Sequence, residues 1–258
     1  MSEFTHIKFQ IDDRVARVTF ARPPLNVFNI AMMREVSEAI DRCAHRDVVA
    51  IVFDAAPGTR AFSAGVAVEE HLPETVFQML DSFHNIFRLL TQISKPAIAV
   101  VDGPALGGGC ELVAGCDIVI ASDRARFGQP EIKLGVFPPV AAILLARIVG
   151  ERKAREMILL GEMIDANEAL RLGLVNYVVP SSDLEQKTTT VLTKLRELSS
   201  SSVTMTHAAL GLGAAGGDLD SALEKLENFY LNELMKTEDA QEGVRAFMEK
   251  RKPVWRNR

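Results

Sequence analysis

Apolar positions in the first half of the chain switch between strand-like and helix-like spacing. Residues 15–20 alternate in the period of two that suits a hairpin strand, and Ile7–Gln10 precedes them across a short polar turn. The runs Val48–Asp54 and Ala97–Val101 are continuously apolar, which is typical of strands covered on both faces of a parallel sheet. Helical spacing appears over Ile30–Ala44 and over Glu74–Gln92, so strands and helices are predicted to alternate.

The second half becomes progressively helical. The pattern predicts helices Val140–Val149 and Arg152–Leu160, a short helix from Asp165, a strand Val175–Val179 and a helix from Ser182 toward Leu198. Capping-box-like starts at Asp165 and Ser182 support two of these helices. No strand pattern follows Ser199. We therefore expect an α/β core over residues 1–196 and a helical C-terminal region over 197–258.

Residues 97–122 carry the most informative stretch, AIAVVDGPALGGGCELVAGCDIVIAS. A buried strand ends at Gly103, three glycines follow at 107–109, and a helix opens at about Cys110. Consecutive glycines lose much chain entropy on folding, so they indicate a sharp turn or a close backbone approach to a ligand. Free N–H groups at a helix start favour negative charge. Glu111 stands alone in this apolar segment, either as a helix-dipole carboxylate or as a proton-transfer group.

Two further stretches favour the functional interpretation. Residues 61–65 read AFSAG, a second small-residue turn with accessible N–H groups. Residues 127–135 read FGQPEIKLG and carry Glu131 in a turn-rich context. Two such turns can hold an oxyanion, while two isolated carboxylates can move protons.

These motifs give the chain a resemblance to the enoyl-CoA hydratase/isomerase (crotonase) superfamily. AFSAG resembles the first oxyanion-hole motif, GPALGGGCEL with CDIVIAS the second, FGQPEIKLGVFP the second-glutamate motif, and FMEKRKPVW the usual ending. The resemblance covers nearly the whole chain in order. It implies a spiral of ββα units with a helical C-terminal trimerisation region, and assembly as a homotrimer or a hexamer made of two trimers.

The resemblance also implies roles for individual residues. The amides of Ala64 and Gly108 would hold the thioester enolate oxygen. Glu111 would activate water, and Glu131 would protonate the α-carbon. Substrate contacts are expected from the neighbouring positions Ser63, Gly65, Val66, Val68, Gly107, Phe137 and Pro138. Phe247 and Lys250 match the aromatic residue and lysine that contact CoA in the family, often from an adjacent subunit.

The expected activity is that of a hydro-lyase adding water to an enoyl- or dienoyl-CoA thioester, with no metal and no cofactor beyond the CoA of the substrate. Three departures alter the acyl pocket: Val66–Val68 replaces a common aspartate segment, Phe137–Ala142 replaces a glycine-rich helix start, and Pro24 replaces a basic residue. SAGV with LGVFPPVAA is similar to hydratases of cyclic dienoyl-CoA esters in anaerobic aromatic degradation. His71 lies in a loop expected to be mobile beside the pocket, as a structural or a pocket residue.

Alternative functions remain open at this stage. Isomerisation and thioester hydrolysis occur on the same scaffold, although both glutamates are retained. A non-catalytic RNA-binding relative is disfavoured by the net charge of −5 and by the lack of a basic run. Three cysteines, no export pattern at the N-terminus and no apolar run near the roughly 20 residues of a membrane span favour a cytoplasmic protein without a membrane or nucleic-acid partner.

One motif is set aside. Residues 211–216, GLGAAG, match the dinucleotide fingerprint G-x-G-x-x-G. That fingerprint needs a strand before it and a helix after it, whereas the preceding residues have a helical pattern. We therefore predict a flexible connection between helices.

Overall fold

The computed structural model describes residues 4–214 and 218–258. In chain order the elements are β1 (Ile7–Asp12), β2 (Val15–Phe20), α1 (Ile30–Arg42), β3 (Ala50–Ala55), α2 (Val76–Ile93), β4 (Ala97–Val101), β5 (Pro104–Leu106), α3 (Gly108–Ala114), β6 (Ile118–Ser122), β7 (Arg126–Gly128), α4 (Pro139–Val149), α5 (Glu151–Leu160), β8 (Met163–Asp165), α6 (Ala166–Leu172), β9 (Tyr177–Val179), α7 (Leu184–Arg196), α8 (Ser200–Ala214), α9 (Leu219–Asn232) and α10 (Glu238–Met248). Short 3₁₀ turns span Val68–His71, Pro130–Leu134, Ser181–Asp183 and Leu234–Lys236.

The main sheet has the strand order β1-β2-β3-β4-β6-β9. Strands β1 and β2 form the predicted antiparallel hairpin, with Ile7 opposite Phe20. The remaining neighbours are parallel and are joined by helical crossovers. The mixed α/β class predicted from the alternating pattern is thus confirmed.

Both faces of this sheet are covered, which explains the continuously apolar strands. On one face Ile51 and Phe53 pack in a core shared with α1, α2 and α3. On the other face Ile98 and Ile120 pack with Leu192 of α7. Every residue of β4 is buried. The sheet is therefore a rigid platform, and β4 delivers the chain to the glycine turn.

A second, small sheet with the order β5-β7-β8 brings the motif segments together. Strand β5 pairs in parallel with β7, with Leu106 opposite Gly128. An isolated bridge joins Ser63 to Ala105. Because β5 lies between the AFSAG turn and β7, all three motif segments converge on the residues after Leu106.

Of the two helix starts predicted from capping residues, one is confirmed and one is wrong. Asp165 caps α6, because its side chain accepts a hydrogen bond from the Glu168 amide as predicted. The prediction at Ser182 is wrong: its hydroxyl donates to Asp183, and α7 begins at Leu184.

Two segments predicted to be flexible contain regular structure. Residues 66–73, predicted as a loop, include the 3₁₀ turn Val68–His71. Gly211 and Gly213, predicted in a flexible connection, lie within α8, while Ala215 and Gly216 lie outside the described residues.

Candidate active site

A cavity of about 520 Å³ lies where the three motif segments converge. Its lining comes from the AFSAG turn and the residues after it, from α2, from the glycine turn and α3, and from residues 130–139. The sequence-predicted site residues that line it are Ala64, Gly65, Val66, Val68, Gly107, Gly108, Glu111, Glu131, Phe137 and Pro138. Residues from four separate parts of the chain thus share one cavity.

The amides of the AFSAG turn are not equivalent. Ala64 N–H donates to the Leu25 carbonyl at 2.9 Å, and Gly65 N–H donates to Ser63 Oγ at 3.2 Å. For Val66 N–H, the described residues provide no hydrogen-bond acceptor. The prediction that Ala64 supplies a free oxyanion donor is therefore wrong in this structure, and Val66 carries the unoccupied amide.

Strand geometry explains this shift of two residues. Val66 forms a parallel bridge with Phe28, in which Phe28 N–H donates to the Gly65 carbonyl and Ala67 N–H donates to the Phe28 carbonyl. Successive peptide groups of an extended chain point in opposite directions. Val66 N–H is therefore directed away from Phe28.

The buried polar residues behind the turn hold its shape. Ser63 Oγ donates to the Asn26 carbonyl at 2.8 Å, and Asn26 Nδ2 donates to the carbonyls of Ala61 and Phe62 at 3.0 and 3.2 Å. Ser63 does not line the cavity, so its predicted place among the substrate contacts is replaced here by a bracing role. Asn26, which the sequence analysis did not select, braces the same turn.

The second unoccupied amide belongs to Gly108, the first residue of α3. Gly107 N–H donates to the Gly128 carbonyl at 2.9 Å, whereas Gly108 N–H has no acceptor among the described residues. The first amides of a helix lack intrahelical acceptors, which makes them suitable for binding an anion. A Cβ on Gly108 would lie 2.8 Å from Val66 Cγ2, so the two segments are in direct contact.

Glu111 projects from the first turn of α3 and is 3% exposed. Its Oε1 accepts hydrogen bonds from Val140 N–H at 2.8 Å and from Ala141 N–H at 2.9 Å. Pro139 opens α4 and has no N–H, so these are the first amides that α4 can donate. Burial, together with the lesser effect of the Glu131 charge, raises the pKa of Glu111 to about 7 against the lowering effect of the hydrogen bonds from Ala141 and Val140.

Glu131 lies in the 3₁₀ turn Pro130–Leu134 and faces the same cavity. Its Oε2 is buried and has no hydrogen-bond partner among the described residues. A Cβ on Gly107 would lie 2.6 Å from its Oε1, so the carboxyl group occupies the space that glycine leaves. Burial raises the pKa of Glu131 to about 7.

The two carboxyl groups therefore share one cavity and have pKa values near neutrality. No salt bridge to either side chain exists among the described residues, and burial is the first cause of both shifts. A carboxyl group with a pKa of about 7 is present in both its protonated and its ionised form near pH 7. The cavity can therefore both accept and donate a proton.

Helix α2 contributes a wall to the cavity, where the sequence analysis predicted only a helix. Val76, Met79, Leu80 and Phe83 line the cavity, although Met79 and Phe83 are only 3% and 2% exposed. The Phe83 ring packs edge-on against Phe87 with 5.2 Å between centroids. The helical spacing of these residues was visible, but residues facing a core and residues facing a cavity have the same spacing.

Phe247 and Lys250 do not line this cavity. Phe247 lies near the end of α10 with 85% of its surface exposed, and Lys250 follows the helix. Neither residue reaches the cavity within the single chain, and their contact with CoA stays a prediction. Within residues 4–214 and 218–258, no cluster of side chains suited to a metal ion is present, and none of the helices has both the length and the apolarity to cross a membrane.

The family model, the related sequences and the solved structures that the chain resembles all indicate the same family. The family model for enoyl-CoA hydratase/isomerase matches residues 10–258. The chain is 38% identical over 251 residues to a probable enoyl-CoA hydratase, echA8, of Mycobacterium bovis, with 96% of each chain covered. It is 35% identical over 253 residues to the cyclohexa-1,5-dienecarbonyl-CoA hydratase of Thauera aromatica, covering 96% of this chain and 95% of that protein. A solved enoyl-CoA hydratase structure from Mycobacterium smegmatis superposes with a TM-score of 0.90 at 31% identity, covering 97% of this chain and 99% of the other.

Proposed function

The chain belongs to the enoyl-CoA hydratase/isomerase family, and from this premise we propose that it adds water across the double bond of an enoyl-CoA thioester. The observation that carries the proposal is the presence of two carboxyl groups and two unoccupied amides in one cavity. Glu111 and Glu131 supply the acid–base pair, and Val66 and Gly108 supply the amides.

The amides would stabilise the negative charge that moves onto the thioester oxygen. Val66 N–H and Gly108 N–H come from segments in contact, so one oxygen can accept from both. One such donor is typically worth about 3 kcal/mol of transition-state stabilisation. Because backbone amides are fixed by the fold, they need little reorganisation during the reaction.

The carboxyl groups would divide the proton transfers. Glu111, held by the α4 amides, accepts a proton from the attacking water, whose oxygen bonds to the β-carbon. Glu131, whose buried Oε2 has no hydrogen-bond partner in the described part of the chain, donates its proton to the α-carbon as the enolate collapses. The reverse transfers dehydrate the product, so the same pair serves both directions.

The test replaces each carboxyl group with an amide. Glu111→Gln and Glu131→Gln should each lower the kcat for crotonyl-CoA hydration by about 100-fold to 10,000-fold, the range expected for a lost acid–base group. Calorimetric binding of a saturated acyl-CoA should survive in both variants. The exposed Glu151 on α5 provides a control, since Glu151→Gln should retain the wild-type rate. Near-full hydration by either site variant would refute the assignment.

A labelling experiment separates the reactions that share this scaffold. In water enriched in oxygen-18, a hydratase places the label on the β-carbon of the acyl group. A thioester hydrolase places it in a free carboxylate, and an isomerase incorporates none. Label outside the β-hydroxyl group would redirect the proposal to the corresponding alternative.

The acyl group has two candidates. The relative from Thauera aromatica is named for a cyclic dienoyl-CoA ester, whereas other relatives are named simply as enoyl-CoA hydratases. The apolar wall from α2 and the proline-rich segment before α4 support a bulky apolar acyl group, and so the cyclic ester as second candidate. Comparing kcat/KM for cyclohexadienoyl-CoA and crotonyl-CoA decides this, and a strong crotonyl preference removes the cyclic substrate.

The last part of the proposal concerns how CoA is bound and how many copies of the chain assemble. Phe247 is exposed and does not line the cavity, which supports a contact with CoA bound to a neighbouring copy of the chain in a trimer or hexamer. Sedimentation analysis and the KM of Lys250→Ala together test this. A monomer with a wild-type KM after Lys250→Ala would contradict both parts.

A further inference from the structure

We propose that His71 binds a hydrogen-bond donor, such as a hydroxyl group, on the acyl chain of the substrate and thereby selects substituted acyl groups. This inference rests on the proposed hydratase function and adds a substrate feature to it. It begins from the position of His71, a polar side chain in a part of the cavity wall that is otherwise formed by Val68, Val76, Met79 and Leu80.

The hydrogen bonding of the ring fixes its tautomer. His71 Nδ1 lies 3.0 Å from the Ala67 carbonyl oxygen. A carbonyl oxygen can only accept, so Nδ1 carries the proton of the neutral ring and Nε2 carries a lone pair. Nε2 has no hydrogen bond to any described residue. The neutral ring therefore offers an acceptor, and its natural ligand is a donor.

The turn that carries His71 is held rigidly. Both carboxylate oxygens of Glu70 accept from Ile30 N–H at the start of α1, at 3.0 and 2.9 Å. Thr75 Oγ1 donates to the Glu70 carbonyl at 3.1 Å, and Ala67, 1% exposed, donates to the Phe28 carbonyl. A side chain on such a turn loses little entropy when it binds a ligand.

The apolar surroundings make the unpaired acceptor selective. When an unsubstituted acyl chain fills this wall, water is displaced and Nε2 is left without a partner, which is unfavourable. An acyl chain with a hydroxyl group in reach restores the hydrogen bond. Sites built to bond a substrate hydroxyl discriminate strongly against the analogue that lacks it.

The experiment compares trans-2-hexenoyl-CoA with its derivatives bearing a hydroxyl on the fourth, fifth or sixth carbon. For the wild-type protein, at least one derivative should exceed hexenoyl-CoA in kcat/KM by about tenfold or more, as expected for one hydrogen bond that the bound acyl chain shields from water. His71→Leu should remove this preference, so that the ratio of kcat/KM for the preferred derivative to kcat/KM for hexenoyl-CoA falls by about tenfold. His71→Gln retains a terminal acceptor and should restore part of the preference.

The outcomes separate this inference from the function on which it rests. Wild-type hydration of hexenoyl-CoA without preference for any derivative overturns the role of His71 and leaves the hydratase function intact. An equal loss on all substrates in His71→Leu also overturns it, because that result indicates a structural role. Failure to hydrate even hexenoyl-CoA and crotonyl-CoA overturns both proposals. A preference that persists in His71→Leu assigns the selectivity to another residue and overturns the role proposed for His71.

Discussion

Two glycine-rich segments of this chain look alike in sequence and differ in structure. At 107–109 there is no room for side chains: a Cβ on Gly109 would lie 2.6 Å from the Ser63 carbonyl oxygen, and one on Gly107 would lie 2.6 Å from Glu131 Oε1. At the end of α8 the space among the described residues is open, with none of their atoms within 4 Å of a Cβ on Gly211 and only an ordinary contact of 3.9 Å at Gly213. The first segment builds the cavity, whereas the second is a stretch of exposed helix.

The difference shows what glycine contributes at each place. In the first segment the missing side chains let α3 touch the AFSAG turn, so that Val66 and Gly108 line one cavity. In the second, glycine only weakens a helix, because it loses more backbone entropy than alanine. Neighbouring residues, and not the spacing of the glycines, decide whether the segment is a site.

The largest effect is expected from Gly109→Ala. The new methyl group meets backbone and Cβ atoms of Ser63, at 2.6 and 2.8 Å, and this turn is braced from behind by Asn26. Such overpacking against immobile atoms should lower the free energy of unfolding by more than about 3 kcal/mol. Thermal unfolding measures it, with Gly213→Ala as the matched control. A melting temperature equal to that of the control would contradict the crowding described here.

The segment at 107–109 also differs from the end of α8 in charge, since Glu111 of α3 is a buried carboxyl group beside the glycines. Burial raises the pKa of Glu111 from 4.5 to about 7, so the folded protein holds a proton that the unfolded chain releases. The contribution of Glu111 to the free energy of unfolding should therefore be highest below about pH 4.5 and should fall as the pH rises toward 7.

Glu111→Gln removes that dependence. The variant should unfold with a free energy up to about 3 kcal/mol higher than the wild type at pH 8, and with little difference at pH 4.5. Urea titrations across this range, followed by Trp255 fluorescence, measure the effect. Glu151→Gln on exposed α5 should show no pH-dependent gain. An equal gain at both pH values would mean that packing, not ionisation, is responsible.

Gly107→Ala should have a smaller effect on folding and a larger one on catalysis. The residue has φ +52°, which is strained for alanine, and its Cβ would displace the flexible Glu131 side chain. We expect a loss of about 1–3 kcal/mol in stability from the backbone strain. Displacement of the proton donor should lower kcat by about 100-fold. Parallel measurement of unfolding and crotonyl-CoA hydration separates the two, and unchanged kcat would contradict the contact with Glu131.

Much of the fold could be predicted because strands and turns depend on short stretches of sequence. Continuous apolar runs identified β3 and β4, and the glycine turn located α3 to within two residues. The motifs also predicted correctly that Glu111 and Glu131 lie in one site, since both line the same cavity. The free amide at Val66 was missed because the direction of each N–H depends on the bridge with Phe28, a long-range pairing that no local pattern fixes. The α2 wall was missed because helical periodicity marks a buried face without saying what it faces.

The last contrast returns to α8, where Gly211→Ala should stabilise the protein. A methyl group at this open helical position removes backbone freedom from the unfolded chain and meets no atom within 4 Å. The expected gain is about 0.5–1 kcal/mol, measured by urea unfolding at several protein concentrations. A loss that disappears on dilution would instead mean that a second copy of the chain covers α8. Gly211 would then be as crowded in the assembly as Gly109 is in the single chain, because subunit packing would supply the neighbours that the fold does not.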